Sequence, residues 1–168
     1  QRVSQLNVSG IRKVFDLAAK MKNPVNLSIG QPDFDIPERV KESAISHIRS
    51  GKNKYTLSAG IPELREKLKK FLAAKAVNAE DLMITSGVSG GILLAIMSLV
   101  DPGDEVIIPD PAFMMYNEVT KMFGGKVVSL DTYPDFLIDP KKLKSVITPK
   151  TKMLVLNSPG NPTGRIMP

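Results

Sequence analysis

Apolar residues along the first part of the chain fall at helical intervals. Ile11, Val14, Phe15, Ala18 and Met21 share one face of a helix that Ser9 can cap. A short extended segment, Val25-Asn26-Leu27-Ser28-Ile29, runs into Gly30-Gln31-Pro32-Asp33-Phe34. Asp35, Pro37 and Glu38 read as a capped helix start, with Val40, Ala44 and Ile48 on one face. Tyr55 to Gly60 reads as loop, and Pro62 opens a helix lined by Leu64, Leu68, Phe71 and Leu72. Its opposite face offers the pairs Glu63–Lys67 and Glu66–Lys70. From residue 80 the rhythm changes. Strand-like runs at Leu82–Thr85, Glu105–Ile108, Lys126–Leu130 and Met153–Leu156 alternate with helical runs near 90–100, 112–123 and 140–147. Short apolar strands separated by helices predict an α/β fold with a parallel sheet built from βαβ units. Asp101-Pro102-Gly103-Asp104 and Gly124-Gly125 supply the turns.

Length and composition narrow the classes. At 168 residues the chain can bury a sizeable core, and its 42% hydrophobic and 24% charged content is that of a soluble globular protein. It has no cysteine, which excludes disulfides and thiolate metal sites and fits a reducing, cytoplasmic setting. One histidine, His47, excludes a His-rich metal cluster, and it reads as a surface residue of the second helix. The net charge of +6 is spread over lysines without aromatic interleaving, so nucleic acid is not an expected partner. The longest apolar run, Val88 to Val100, is broken by Ser89, Gly90, Gly91 and Ser98 and is too short to span a bilayer. No signal peptide is expected at the start. The first residue is Gln rather than Met, and either end is expected to be incomplete.

Three strand ends carry the chemistry. Thr85-Ser86-Gly87-Val88-Ser89-Gly90-Gly91 joins a strand-like run to a helix through small residues. Backbone N–H groups at such a helix start, with the helix dipole behind them, suit a phosphate; a tight packing turn is the plain alternative. The spacing Gly-x-x-Gly-Gly is not the Gly-x-Gly-x-x-Gly of dinucleotide sites, although Asp110 falls about where a ribose-binding acid would sit. After the second run come Pro109-Asp110-Pro111-Ala112-Phe113, where Phe113 is either a stacking platform for a flat ring or a core residue. After the last run, Asn157-Ser158-Pro159-Gly160-Asn161-Pro162-Thr163-Gly164 forms a rigid turn that offers the Asn161 amide. Open α/β sheets bind ligands at that edge. A phosphate cradle, an aromatic face and an amide donor describe a pocket for a phosphorylated, planar, polar ring.

These stretches, in this order and spacing, resemble the class I/II aminotransferase family, fold type I pyridoxal 5'-phosphate (PLP) enzymes. Asn26 to Phe34, Lys54-Tyr55-Thr56, Ala59 to Arg65, Thr85 to Gly90, Asp101 to Val106, Pro109 to Phe113 and Asn161 to Gly164 carry the likeness from about residue 9 onward. The resemblance implies the first part of the family's large domain over 51–168, with 1–50 forming an N-terminal arm and part of the small domain. It implies PLP as cofactor. Gly87, Val88 and Ser89 would bind its phosphate, Phe113 would stack on its ring, and Asn161 would bond its phenolic oxygen. Gly30 would meet the substrate carboxylate. Tyr55 would reach the phosphate of a neighbouring subunit's cofactor, which implies a homodimer with shared sites.

The family's Schiff-base Lys, the Asp facing the pyridinium nitrogen and the Arg for the substrate carboxylate all follow the Asn-Pro-Thr-Gly turn in related chains. No lysine here lies in a stretch like the Schiff-base motif, so no catalytic residue and no metal ligand is assigned, and the chain alone is expected to be inactive. The resemblance implies transamination between an amino acid and a 2-oxo acid, completed by a C-terminal half. The same fold hosts β- and γ-lyases and synthases, and a non-catalytic fragment is a third reading. Ser89 stands where some aspartate-preferring relatives carry Lys, which leaves aromatic, branched-chain and alanine-type substrates open.

Overall fold

The structure, a computed structural model, describes residue 4, residues 10–25, residue 30 and residues 32–167. The predicted cap Ser9, the extended run 26–29 and Gln31 lie outside the described residues. The chain divides into two compact units, one of residues 11–85 and one of residues 86–168 with the described residues before Ile11.

Three helices mark the early part: α1 (Gly10–Ala18), α2 (Glu38–Arg49) and α3 (Pro62–Ala73). α1 stops short of Met21, in turns closed by Lys20 N–H to Leu17 O and Met21 N–H to Ala18 O. Asp35 does not cap α2. Its carboxylate accepts instead from the adjacent Ile36 N–H at 2.7 Å and from Lys41 Nζ at 2.6 Å, and Pro37 occupies the cap position. On α3, Glu66 lies 3.8 Å from Lys69, an i,i+3 pair, rather than pairing with Lys70.

The expected strand at Leu82–Thr85 is irregular chain without a ladder. Its backbone finds single anchors: Ile84 N–H donates to Ala59 O at 3.0 Å, and Arg65 Nε donates to Leu82 O at 2.7 Å while its guanidinium pairs with Asp81. Gly60 makes the first anchor possible. Its φ is +103°, and a Cβ there would lie 2.5 Å from Ile84 Cγ1. No described side chain between residues 11 and 85 is buried.

The second unit holds α4 (Gly87–Leu99), β1 (Glu105–Asp110), α5 (Met114–Met122), β2 (Lys126–Asp131), α6 (Pro140–Val146) and β3 (Thr151–Leu154). The sheet is parallel, in the order β2-β1-β3. Its central strand reads as a continuous apolar run because both faces are covered: Val106, Ile107 and Ile108 are 0%, 0% and 2% exposed. Ile96 from α4, Val100 just after it and Val119 from α5 complete the core on Val106 and Ile108. α6 starts as its sequence dictates, with Pro140 in the first turn and the Asp139 carboxylate accepting from Lys141 N–H at 2.8 Å.

At the amino end of the sheet, buried Glu105 joins all three strands. It accepts from Thr148 Oγ1 at 2.7 Å, just before β3, and from Lys126 Nζ at 3.0 Å, at the start of β2. Those hydrogen bonds, that from Thr148 first, hold its carboxyl below the usual carboxylate range.

Candidate functional site

The carboxyl end of the sheet is where the strands release their side chains into loops. β1 stays paired with β2 through Pro109 and Asp110 and ends before Pro111, which has no N–H to continue a ladder. The Asp110 carbonyl is then held twice by Thr132, through its N–H at 3.2 Å and its Oγ1 at 2.7 Å. Thr132 is 4% exposed, so its side of this clamp between the ends of β1 and β2 is shielded from water. Beyond it, Phe113 takes an extended conformation (φ −62°, ψ 123°) as the residue that starts α5.

β2 continues into a tight turn. Phe136 N–H donates to Thr132 O at 2.7 Å, and Phe136 sits at φ +59°, a left-handed conformation that is strained for an aromatic residue. Its ring meets Tyr133 at 5.1 Å in an edge-on arrangement.

β3 is extended by Val155, whose N–H donates to Ile107 O at 3.0 Å, and the chain then folds on itself. Gly160 N–H donates to Arg165 O at 2.8 Å and Gly164 N–H to Gly160 O at 2.7 Å. Ser158 Oγ accepts from Met167 N–H at 2.9 Å, and Thr163 Oγ1 from Arg165 N–H at 3.2 Å. A Cβ at Gly160 would stand 2.8 Å from Thr163 Oγ1, so the closed turn depends on glycine there. Held in this turn, Asn161 is exposed.

These three loops surround a cavity of about 410 Å³, open solvent at its mouth included. Pro109, Ala112 and Tyr116 come from the β1–α5 side, Thr132 and Phe136 from the end of β2, and Val155, Asn157, Asn161 and Arg165 from beyond β3. Asn161 is thus in the wall. Phe113 is half-buried and outside the wall; it follows the wall residue Ala112 in sequence, and its ring is edge-on to the wall residue Tyr116 at 5.9 Å. Gly87, Val88 and Ser89 are exposed in the first turn of α4, outside the wall. That helix begins with no side-chain cap on it. Gly87 has φ +68°, and nothing lies within 4 Å of where its Cβ would be. Gly30 has equally open surroundings, and Tyr55 is fully exposed on an open groove with Asn53 and Lys54.

Tyr116, Thr132, Phe136 and Arg165 were not expected at the site. Tyr116 had a readable signal, an aromatic residue one helical turn after Phe113 in a chain with only 5% aromatics. Among the described residues no group of three His, Cys, Asp or Glu could hold a metal, and no helix is long and apolar enough to cross a membrane.

The chain matches the family described as aminotransferase class I and II over residues 22–168. It belongs to that family. It is 40% identical to a probable aspartate aminotransferase of Methanocaldococcus jannaschii, over 98% of this chain and 44% of that protein. It is 44% identical to an aspartate aminotransferase of Pyrococcus horikoshii, over 98% of this chain and 43% of that protein. A solved aspartate aminotransferase of Thermus thermophilus with maleate superposes with a TM-score of 0.92 at 39% identity, over 99% of this chain and 46% of that one. The fold of this family segment is therefore that of the aminotransferases, an α/β arrangement with a parallel sheet. The chain spans less than half the length of the relatives it matches.

Proposed function

We propose that this chain is the cofactor-gripping segment of a PLP-dependent aminotransferase, one that moves an amino group between an amino acid and a 2-oxo acid. The observation that carries the reading is Asn161, an exposed amide fixed by a closed turn in a cavity wall at the carboxyl end of a parallel sheet. Family membership and the names of the relatives point the same way.

The donor set fits the cofactor. The first turn of α4, with small residues and Gly87, Val88 and Ser89 exposed, suits a phosphate dianion, and the Ser89 hydroxyl adds a donor. α4 has 13 residues and spans about 20 Å, about the rise of a six-residue strand such as β1. Because α4 leads into the amino end of β1 and packs along the sheet through Ile92, Leu93 and Ile96, its own start belongs near the carboxyl edge. Phe113 would lie against the ring, and Asn161 would donate to the phenolic oxygen. When bound, PLP supplies an electron sink for bond breaking at the amino acid's α-carbon. Asn161 favours the anionic state of that oxygen and so sets the protonation at which the cofactor works; Phe113 fixes the ring plane and excludes water from one face.

We assign 51–168 to the large domain and 1–50 to an arm and part of the small domain. Gly30 serves the substrate carboxylate, and Tyr55 reaches a second copy's cofactor in a cytoplasmic homodimer. Two relatives bear the name aspartate aminotransferase or probable aspartate aminotransferase, so aspartate with 2-oxoglutarate is the first pair to assay. In the full-length enzyme, Asn161→Ala is expected to retain PLP while shifting its visible pH titration by about one to two units. A hydrogen bond to a charged oxygen is worth about 1.5–3 kcal/mol. An unchanged titration overturns the role of Asn161. Absence of PLP uptake by the wild type overturns the whole reading.

A further inference from the structure

We propose that Tyr116 is the positioning residue for the Phe113 ring, and that this pair, rather than Phe113 alone, sets the stacking plane offered to the cofactor. The inference rests on the proposed function. Phe113 precedes α5, on the loop that follows Pro111, so its ring is not held by a position inside the helix. The terminal torsion of a phenylalanine is broad, and an unbuttressed ring would sample a range of planes.

Tyr116 removes that freedom. Its N–H donates to the Phe113 carbonyl at 3.2 Å, which ties the two residues into one turn. The rings then meet at 5.9 Å with planes 89° apart, the edge-to-face arrangement that the aromatic quadrupole favours. Tyr116 is itself anchored on two sides. Its carbonyl accepts from the fully buried Thr120 at 2.7 Å, and its side chain packs on the core formed by Ile96, Val106 and Val119. It also stands in the cavity wall. The core therefore reaches the stacking ring through the Tyr116 ring.

The test uses the full-length enzyme and its Tyr116→Leu, Tyr116→Met and Tyr116→Phe variants, with three readouts: PLP dissociation constant, circular dichroism of the bound cofactor's visible band, and melting of the cofactor-free protein. Loss of an edge-to-face pair predicts PLP binding weakened roughly two- to thirteenfold in Tyr116→Leu, with a diminished cofactor band. Tyr116→Phe keeps the ring and is expected to restore both. Tyr116→Met preserves bulk without a ring and is expected to behave as Tyr116→Leu, which covers the case in which the leucine variant does not fold. Unchanged PLP binding and band in the ringless variants, with only the melting altered, overturns the inference and leaves the proposed function standing. A phenylalanine variant as impaired as the ringless ones overturns it too, since the hydroxyl would then be the acting group. A wild type that takes up no PLP overturns the proposed function, and this inference with it.

Discussion

At the start of β1 one carboxylate meets a hydroxyl from the approach to β3 and an ammonium from β2. Because these bonds lower the Glu105 pKa in the folded state, its contribution to stability is complete above the ordinary glutamate value of about 4.3. It is lost as pH falls through the lower folded value, where the carboxyl finally protonates. Glu105→Gln in the full-length enzyme is therefore expected to be less stable than wild type near neutrality, with the gap in urea midpoint closing as pH falls below about 4. A gap independent of pH would show that the charge is irrelevant. Single residues were legible in proportion to how local their role is. Asn161 could be read because two prolines and two glycines surround it, and the structure finds it in a closed turn. Phe136 could not, since its left-handed backbone follows from a hydrogen bond to Thr132 that no neighbouring residue type announces. Nor could the Thr132 clamp, which spans two strands distant in sequence.

Whole elements were more readable than their edges. β1, β2 and β3 lie within two residues of the expected runs, α5 and α6 fall in the expected intervals, and α4 starts at Gly87, before its expected run near 90–100. The exception is instructive. Residues 82–85 have a strand's apolar character, but a strand exists only where a neighbour completes its ladder, and here Ile84 N–H meets Ala59 O without a paired strand around it. Where α5 meets β2, Gly125 is wedged against the core: a Cβ would stand 2.7 Å from Val100 Cγ1 and 2.9 Å from Thr120 Cγ2. Val100 and Thr120 are themselves buried and cannot give way. Gly125→Ala is thus expected to destabilise the enzyme by about 1–3 kcal/mol in denaturant unfolding. PLP affinity should be untouched, because this junction lies at the end of the sheet opposite the cavity. A neutral alanine there would mean that α5 can shift freely on the sheet.

Across the molecule, every buried apolar side chain among the described residues falls between Ile96 and Leu130. α2 and α3 bury none, and α4, apolar along its length, leaves Val88, Met97 and Leu99 about half or more exposed. Surfaces of this kind associate. Residues 1–168 expressed alone are expected to be poorly soluble and to give no borohydride-reducible PLP adduct at a defined lysine. Supplying the C-terminal part of the enzyme in trans should restore solubility and the yellow cofactor colour. A monodisperse, cooperatively melting chain that turns over an amino acid unaided would refute the reading. The order β2-β1-β3 also bears on how the chain is made. The strand that ends up in the middle is the first of the three to leave the ribosome, and its final partner is completed only at Leu154. At ordinary elongation speeds that interval lasts roughly 2 to 9 seconds. Throughout it, Val106, Ile107 and Ile108 have at least one open side, so the nascent chain passes through a stage in which its most hydrophobic strand is available to a chaperone or to a neighbouring nascent copy.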